Sequence, residues 1–470
     1  MKFEIKNIGA IDHACVDIEG ITIIAGENNV GKSTIGKALF AFLHEMSAWE
    51  KIYDSVCSQK INEFLYRNSI WLEDFCTKNS GAKRRRTSKT NQLIMEYAVD
   101  SDFRVALEDY QIHTETSDLT NIDSSLSDQL EKYCLDYFAL YFKEPKGSLR
   151  QHYGDEIANW ISNALKDLGQ LNLDEVEMQK NRIKLSLHDV FRDQYRKIDS
   201  SSSEIIFKDE RSRETHFSVD NEVEQLDSPI RLSNNIYFIE TPRIYDYISN
   251  AKFASDPKGS LRRMMTPNTF RAPVPTPTRY KNSVAFSEEI GSDLRKIADR
   301  LVEVMGGQAE FLQKVGLEFK DRNISEPIHS VNVSTGLKSL ALLEYALRIG
   351  AIERGDILIL DEPEINLHPE WQLEYAKAIV ELQKKYDIKF IITSHSPFFM
   401  RAIECYTDIN GTMDNLNVYR ISNVDEDGTR KVVNVSYSEY GMSDLYEDLS
   451  APLERLDELL DEKYGAEDGE

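Results

Sequence analysis

Apolar positions along the chain follow two different spacings, and their order predicts a sheet interrupted by a long helical segment. Lys2 to Ile5 and Ala14 to Ile18 alternate apolar and polar residues as half-buried strands do, and Gly20 separates them from the run Ile21-Thr22-Ile23-Ile24. Ile35, Leu39, Phe40 and Leu43 then fall at helical spacing. From Ala48 to about Ser203 the spacing is helical: Ile61, Phe64, Leu65, Leu72 and Phe75; Leu126, Leu130, Cys134, Tyr137, Phe138 and Tyr141; Ile157, Trp160, Ile161, Ala164, Leu165 and Leu168. Their aromatic members read as core, and the serine run Ser200 to Ser203 reads as a flexible joint closing the insertion. Strand patterns resume at Glu204 to Phe207, Thr215 to Val219 and Asn235 to Glu240, followed by a helix with core positions Ile290, Leu294, Ile297, Leu301 and Val302. Ile357 to Leu360 and Ile388 to Thr393 read as buried strands. Leu453, Leu456, Leu459 and Leu460 form a last helical stripe, expected to pack on its own body. The pattern predicts an α/β fold in four parts: residues 1–47, a helical insertion 48–203, a second sheet portion 204–440, and a tail 441–470.

Composition adds size and sign. With 470 residues, 41% of them hydrophobic, the chain can bury a large core and is expected to have more than one lobe. A net charge of -24 argues against a generally basic nucleic-acid surface. Two local basic segments remain. Lys83-Arg84-Arg85-Arg86 lies close to Lys89; and between Lys252 and Lys281 the bases Lys252, Lys258, Arg262, Arg263, Arg271, Arg279 and Lys281 face a single acid, Asp256. Pro257, Pro267, Pro273, Pro275 and Pro277 exclude helix and central strand from the second segment. Each reads either as a contact to nucleic acid or an acidic partner, or as a plain solvated loop. No apolar run approaches the roughly 18–20 residues of a membrane span. Met1 to Ala10 lacks the apolar core of a signal peptide, so a cytoplasmic protein without a membrane partner is expected. Five cysteines without a CxxC pair suggest ordinary reduced thiols rather than zinc or disulfides.

Candidate chemistry falls at the ends of the buried strands. Gly26-Glu27-Asn28-Asn29-Val30-Gly31-Lys32-Ser33 fits GxxxxGK[ST], between a strand and a helix that continues with Thr34. Backbone N–H groups of such a loop cradle phosphates at a helix amino terminus, its lysine neutralises the β- and γ-phosphates, and its serine hydroxyl ligates Mg²⁺. The strand Ile357 to Leu360 ends in Asp361-Glu362-Pro363, and the later one in Thr393-Ser394-His395-Ser396. Carboxyl ends of strands are where open α/β sheets bind ligands. Ser334-Thr335-Gly336-Leu337-Lys338 supplies a hydroxyl, a glycine backbone and a helix start, which together make an anion site.

The order of these motifs, GENNVGKS, VSTGLKSL, LILDEPEINLHPEWQ and ITSHSPFFM, resembles an ABC-type ATPase head of the chromosome-maintenance, recombination-repair and overcoming-lysogenisation-defect class. It covers residues 1–47 and about 204–440, and the wording DEPE, LHPEWQ and TSHSPFF is similar to ATPase subunits of anti-phage systems such as Septu (PtuA) and PARIS (AriA). The resemblance implies an ABC-type P-loop ATPase head with an inserted helical domain, taking ATP and Mg²⁺. It makes Asp361 a Mg²⁺ holder, Glu362 the residue that polarises the attacking water, and His395 a contact to the γ-phosphate. Glu364, Asn366 and His368 then fall near a dimer interface. Ser334, Gly336 and Lys338 would meet the nucleotide of an opposite head, giving a homodimer or higher homo-oligomer with ATP sandwiched between copies. The stretch after His395 is short for a Toprim domain, and Asp425-Glu426-Asp427 reads as a solvated turn. The implied role is therefore control of a separately encoded effector nuclease, of HNH or Toprim type, in anti-phage defence. A DNA-repair ATPase or a nucleotide-gated scaffold with little turnover are the alternatives.

Overall fold

The computed structural model describes residues 1–47, 49–80, 88–100, 102–103, 106, 124–168, 174–220, 223–232, 234–239, 288–312, 316–329, 332–348, 350–421, 429–436 and 441–465. The basic segments at Lys83–Arg86 and Lys252–Lys281 and the turn Asp425–Asp427 lie outside them. Two compact units form: Met1–Ala48 with Gln179–Glu470, and Trp49–Met178.

The first unit opens with β1 (Lys2–Ile8), β2 (Ile11–Asp17), β3 (Ile21–Ala25) and α1 (Lys32–Leu43). The second unit consists of α2 (Trp49–Ser80), α3 (Ser88–Ala98), α4 (Ser124–Phe142) and α5 (Lys146–Leu168). Its core contains Ile61, Phe64, Leu72, Leu130, Phe138 and Trp160, at the helical spacing read from the sequence. Phe75 stacks on Phe138 at 5.2 Å between ring centroids, so the aromatic positions serve packing, as expected.

The helical unit ends at Met178, within α6 (Glu175–Phe191) and well before the expected boundary at Ser203. The serine run is no joint. Ser202 opens β4 (Ser202–Lys208), which pairs antiparallel with β1 in the register Ile5↔Ile205. Ser203 is buried and donates its hydroxyl to Asn7 O at 2.8 Å. Serine suits flexible linkers by composition, but here the hydroxyls of Ser200 and Ser203 each donate to a backbone carbonyl, and the sheet register places Ser203.

There follow β5 (Glu214–Asp220), β6 (Val223–Leu226), β7 (Ile236–Ile239), α7 (Glu288–Met305), β8 (Gly307–Leu312), β9 (Gly316–Asp321), β10 (Ile328–His329) and α8 (Thr335–Arg348). Next are β11 (Ile357–Asp361), α9 (Pro369–Tyr386), β12 (Lys389–Ser394), α10 (Pro397–Ile409), β13 (Leu416–Ile421), β14 (Val432–Asn434) and α11 (Gly441–Gly465). Strands assemble as a five-stranded antiparallel sheet, β2-β1-β4-β5-β6, a three-stranded one, β10-β9-β8, and a six-stranded sheet in the order β14-β13-β3-β12-β11-β7. Neighbours in the last are parallel except β13 and β14. Ile23, Ile24, Leu358, Ile359, Ile391 and Ile392 are at most 1% exposed, which is why β3, β11 and β12 read as unbroken apolar runs rather than as alternating ones. The architecture is α/β with an inserted helical unit, and the parallel strands of the six-stranded sheet set the carboxyl ends of β3, β12 and β11 side by side.

At the carboxyl end the expected packing is shifted. Leu445 is buried, with Met442, Tyr446 and Leu449 against the same core, whereas Leu456 and Leu459 are 57% and 56% exposed. Pro452 lies between these halves of α11 and removes one helical N–H. Among the described residues no helix is long and apolar enough to cross a membrane.

Candidate active site

Strand order creates the site. β12 lies between β3 and β11, in the registers Ser394↔Ala25 and Thr393↔Asp361, so the carboxyl ends of all three strands come together. The loop Gly26 to Gly31 leaves β3 there, and α1 begins at Lys32. Gly31 sits at φ 104°, a conformation that strains any residue with a side chain, and an added Cβ would lie 2.8 Å from Ile11 Cδ1, so this turn favours glycine. Asn29 is also left-handed at φ 65°. Glu27, Asn28 and Asn29 are exposed, and Val30 is buried against Gly26. Thr34 N–H closes the first turn on Gly31 O at 3.0 Å.

Five of the predicted residues meet in one cluster. Lys32, 4% exposed, donates to Gly26 O at 3.0 Å and Glu27 O at 2.8 Å, and lies 3.4 Å from Glu362 Oε1. Ser33 donates its hydroxyl to Asp361 Oδ1 at 2.8 Å. His395 Nδ1 lies 3.2 Å from Glu362 Oε1. Burial pushes the Asp361 carboxyl above the usual carboxylate range, while hydrogen bonds from Thr393 and Ser33 oppose the rise. Glu362 adopts φ 50°, an uncommon value for a side chain that branches beyond Cβ, at the turn where the strand stops.

Thr393 was not singled out by itself in the sequence, yet it joins both acids. Its hydroxyl donates to Asp361 Oδ1 at 2.5 Å, and both its hydroxyl and its carbonyl oxygen accept the Glu362 N–H at 3.1 Å. A hydroxyl residue at the strand end before a histidine was the available signal. Arg430 was likewise missed: one guanidinium N–H donates to Asn29 O in the loop at 3.4 Å.

Ser334 and Gly336 lie outside this cluster. Ser334 is exposed and caps α8 by accepting Leu337 N–H at 3.3 Å. Gly336 is buried against the turn after the acids, where an added Cβ would stand 2.2 Å from Asn366 O. Lys338 is buried one turn on, its N–H on Ser334 O at 3.1 Å. Glu364 is 4% exposed and accepts the Ser394 hydroxyl at 2.5 Å.

The residues suit a magnesium nucleotide by their donor set. A buried ammonium sits at a helix start, donating to two neutral carbonyl oxygens and lying near one carboxylate, and a serine hydroxyl and a carboxylate lie together as hard oxygen ligands.

The chain is 28% identical over 130 residues to "Retron Ec83 probable ATPase" of Escherichia coli, a stretch that is 26% of this chain and 22% of that relative's length. It is similar to a solved Smc head bound to the C-winged helix domain of ScpA, at 14% identity and a TM-score of 0.41, covering 94% of this chain and 98% of that one. It is similar also to the SMC head domain from Thermotoga maritima, at 11% identity and a TM-score of 0.34, covering 92% and 98%. Residues 1–400 match the family described as AAA ATPase domain, and the chain belongs to that family.

Proposed function

We propose that this chain binds and hydrolyses ATP as an ABC-type head, and that it does so at the carboxyl ends of β3, β12 and β11. The observation that carries the reading is the bonding of Ser33 to Asp361 and the approach of both Lys32 and His395 to Glu362. The N–H groups of Gly26 to Thr34 surround the phosphates, and Lys32 exchanges its loop carbonyls for phosphate oxygens. Ser33 and Asp361 would hold Mg²⁺, which when bound supplies charge neutralisation for the phosphates. Glu362 orients the attacking water and accepts its proton, and His395 stands on the γ-phosphate side. Calorimetry tests the binding half: wild-type chain is expected to take up ATP with Mg²⁺, and Lys32→Ala to lose it while keeping its circular dichroism.

The same reading pairs two heads around ATP, with Ser334, Gly336 and Lys338 of each meeting the other's nucleotide. Its biological setting is anti-phage defence, in which nucleotide state controls a separate HNH or Toprim nuclease. The motif wording and the retron relative's name support this setting. Phage plating on cells carrying the chain with its gene neighbour tests it, and Lys32→Ala should abolish protection. A repair ATPase is the second reading, favoured by the signature segment; loss of DNA-damage resistance without loss of phage resistance on deletion would select it.

A further inference from the structure

A buried carboxylate beside this site has no part in the chemistry just described. Glu364 lies two residues beyond Glu362, is 4% exposed, and binds the Ser394 hydroxyl through Oε1 at 2.5 Å. Its Oε2 has no hydrogen-bond partner among the described residues. A carboxylate so placed costs stability, since burial disfavours its ionised form and hydrogen bonds from the Ser394 hydroxyl and its own backbone N–H offset this only in part.

Ser394 explains the placement. It is fully buried, and the same hydroxyl that donates to Glu364 accepts the N–H of Ser396 at 3.1 Å. Ser396 in turn caps α10 by accepting Phe399 N–H at 3.2 Å. His395 is therefore bracketed by two residues whose positions are set through one hydroxyl. On the other side, Thr393 O and Oγ1 take up the Glu362 N–H. Thus two ties join the turn after β11 to the end of β12, one at Thr393 and one at Ser394. His395 Nδ1 meets Glu362 Oε1 across the gap between them.

We propose that Glu364 is a positioning residue: by holding the Ser394 hydroxyl it fixes the turn that carries His395 and keeps the imidazole facing Glu362. This rests on the hydrolytic reading above. Removing the carboxylate leaves Ser394 without its acceptor and frees the turn, so His395 loses its place while the phosphate loop is untouched. Displacement of a catalytic group by about 1 Å is enough to cost about 100-fold in rate.

Steady-state phosphate release with purified full-length chain tests it. Glu364→Ala is expected to lower kcat about 10-fold or more while KM for ATP stays within about threefold. Glu364→Gln, whose amide oxygen still accepts the Ser394 hydroxyl, is expected to recover most of that loss. Ser394→Ala reports on the same tie should Glu364→Ala fail to fold, and is expected to show the same kcat loss. In a His395→Ala background, Glu364→Ala should slow the residual rate no further, because it acts through the residue already removed. The proposal is overturned if the two losses multiply, if KM rather than kcat moves, or if Glu364→Gln is as slow as Glu364→Ala. Wild-type chain without turnover sinks the hydrolytic reading and this one together; turnover that is lost in Glu362→Gln, combined with multiplying losses, sinks this one alone.

Discussion

Lys32 shares its ammonium among Gly26 O, Glu27 O and Glu362 Oε1 in a place almost closed to water. Truncating a buried, hydrogen-bonded charge typically costs about 2–5 kcal/mol of affinity, so Lys32→Ala should weaken ATP binding by about 30-fold or more in calorimetry. Asp361 tests a trade between stability and function. Its carboxyl is raised by burial above its unfolded value, so the ionised form costs stability at neutral pH. The cost is full above the folded pKa and has vanished once pH falls to the unfolded one. Asp361→Asn keeps an oxygen for Ser33 and Thr393, so the nucleotide-free variant is expected to melt higher than wild type while losing metal-dependent turnover. A lower melting temperature would count against the burial argument. At this scale the sequence named Lys32, Ser33, Asp361, Glu362 and His395, because each lies in a short local motif whose spacing carries its chemistry. The bonding of Thr393 and Glu364 escaped it: what their side chains touch is decided across neighbouring strands, 32 and 30 residues away in the chain.

Among elements, strand existence was legible and strand order was not. Ile21 to Ile24, Ile357 to Leu360 and Ile388 to Thr393 are apolar enough to declare buried strands, but nothing in them says that β12 separates β3 from β11. That order depends on which edges pair across hundreds of residues. The end of the insertion was misplaced for a related reason, since Ser200 to Ser203 has linker composition but meets β1 in the fold. α8 offers the element-scale prediction. An added Cβ at Gly336 would collide with the carbonyl oxygen of Asn366, and backbone cannot yield as a side chain does. Gly336→Ala is expected to destabilise the chain by roughly 1–3 kcal/mol, read as an earlier urea midpoint with an unchanged slope. An unchanged midpoint would mean that α8 and the turn after β11 are not held together as described.

For the whole molecule, the proposed pairing of heads asks Ser334 to face a second copy, and it is exposed at the start of α8. Glu362→Gln retains the shape of the site without the charge that orients water. It is therefore expected to hold two heads together in sedimentation with ATP and Mg²⁺, and Ser334→Arg to stay apart under the same conditions. Identical sedimentation of the two would remove the composite site. The acids best placed for chemistry, Asp361 and Glu362, are committed to nucleotide in this account. Purified chain alone is accordingly expected to leave plasmid and linear DNA intact with ATP and Mg²⁺. Cleavage that survives purification and vanishes in a point variant of this chain's own acids or histidines would contradict it.

The central claim, that the ends of β3, β12 and β11 form a hydrolytic ATP site, is tested most directly by phosphate released per ATP bound in wild type and Glu362→Gln. The account expects sustained release from wild type, and ATP bound with release slowed about 100-fold or more in the variant. Equal release from both, or saturable ATP binding by wild type with no release at all, would contradict it.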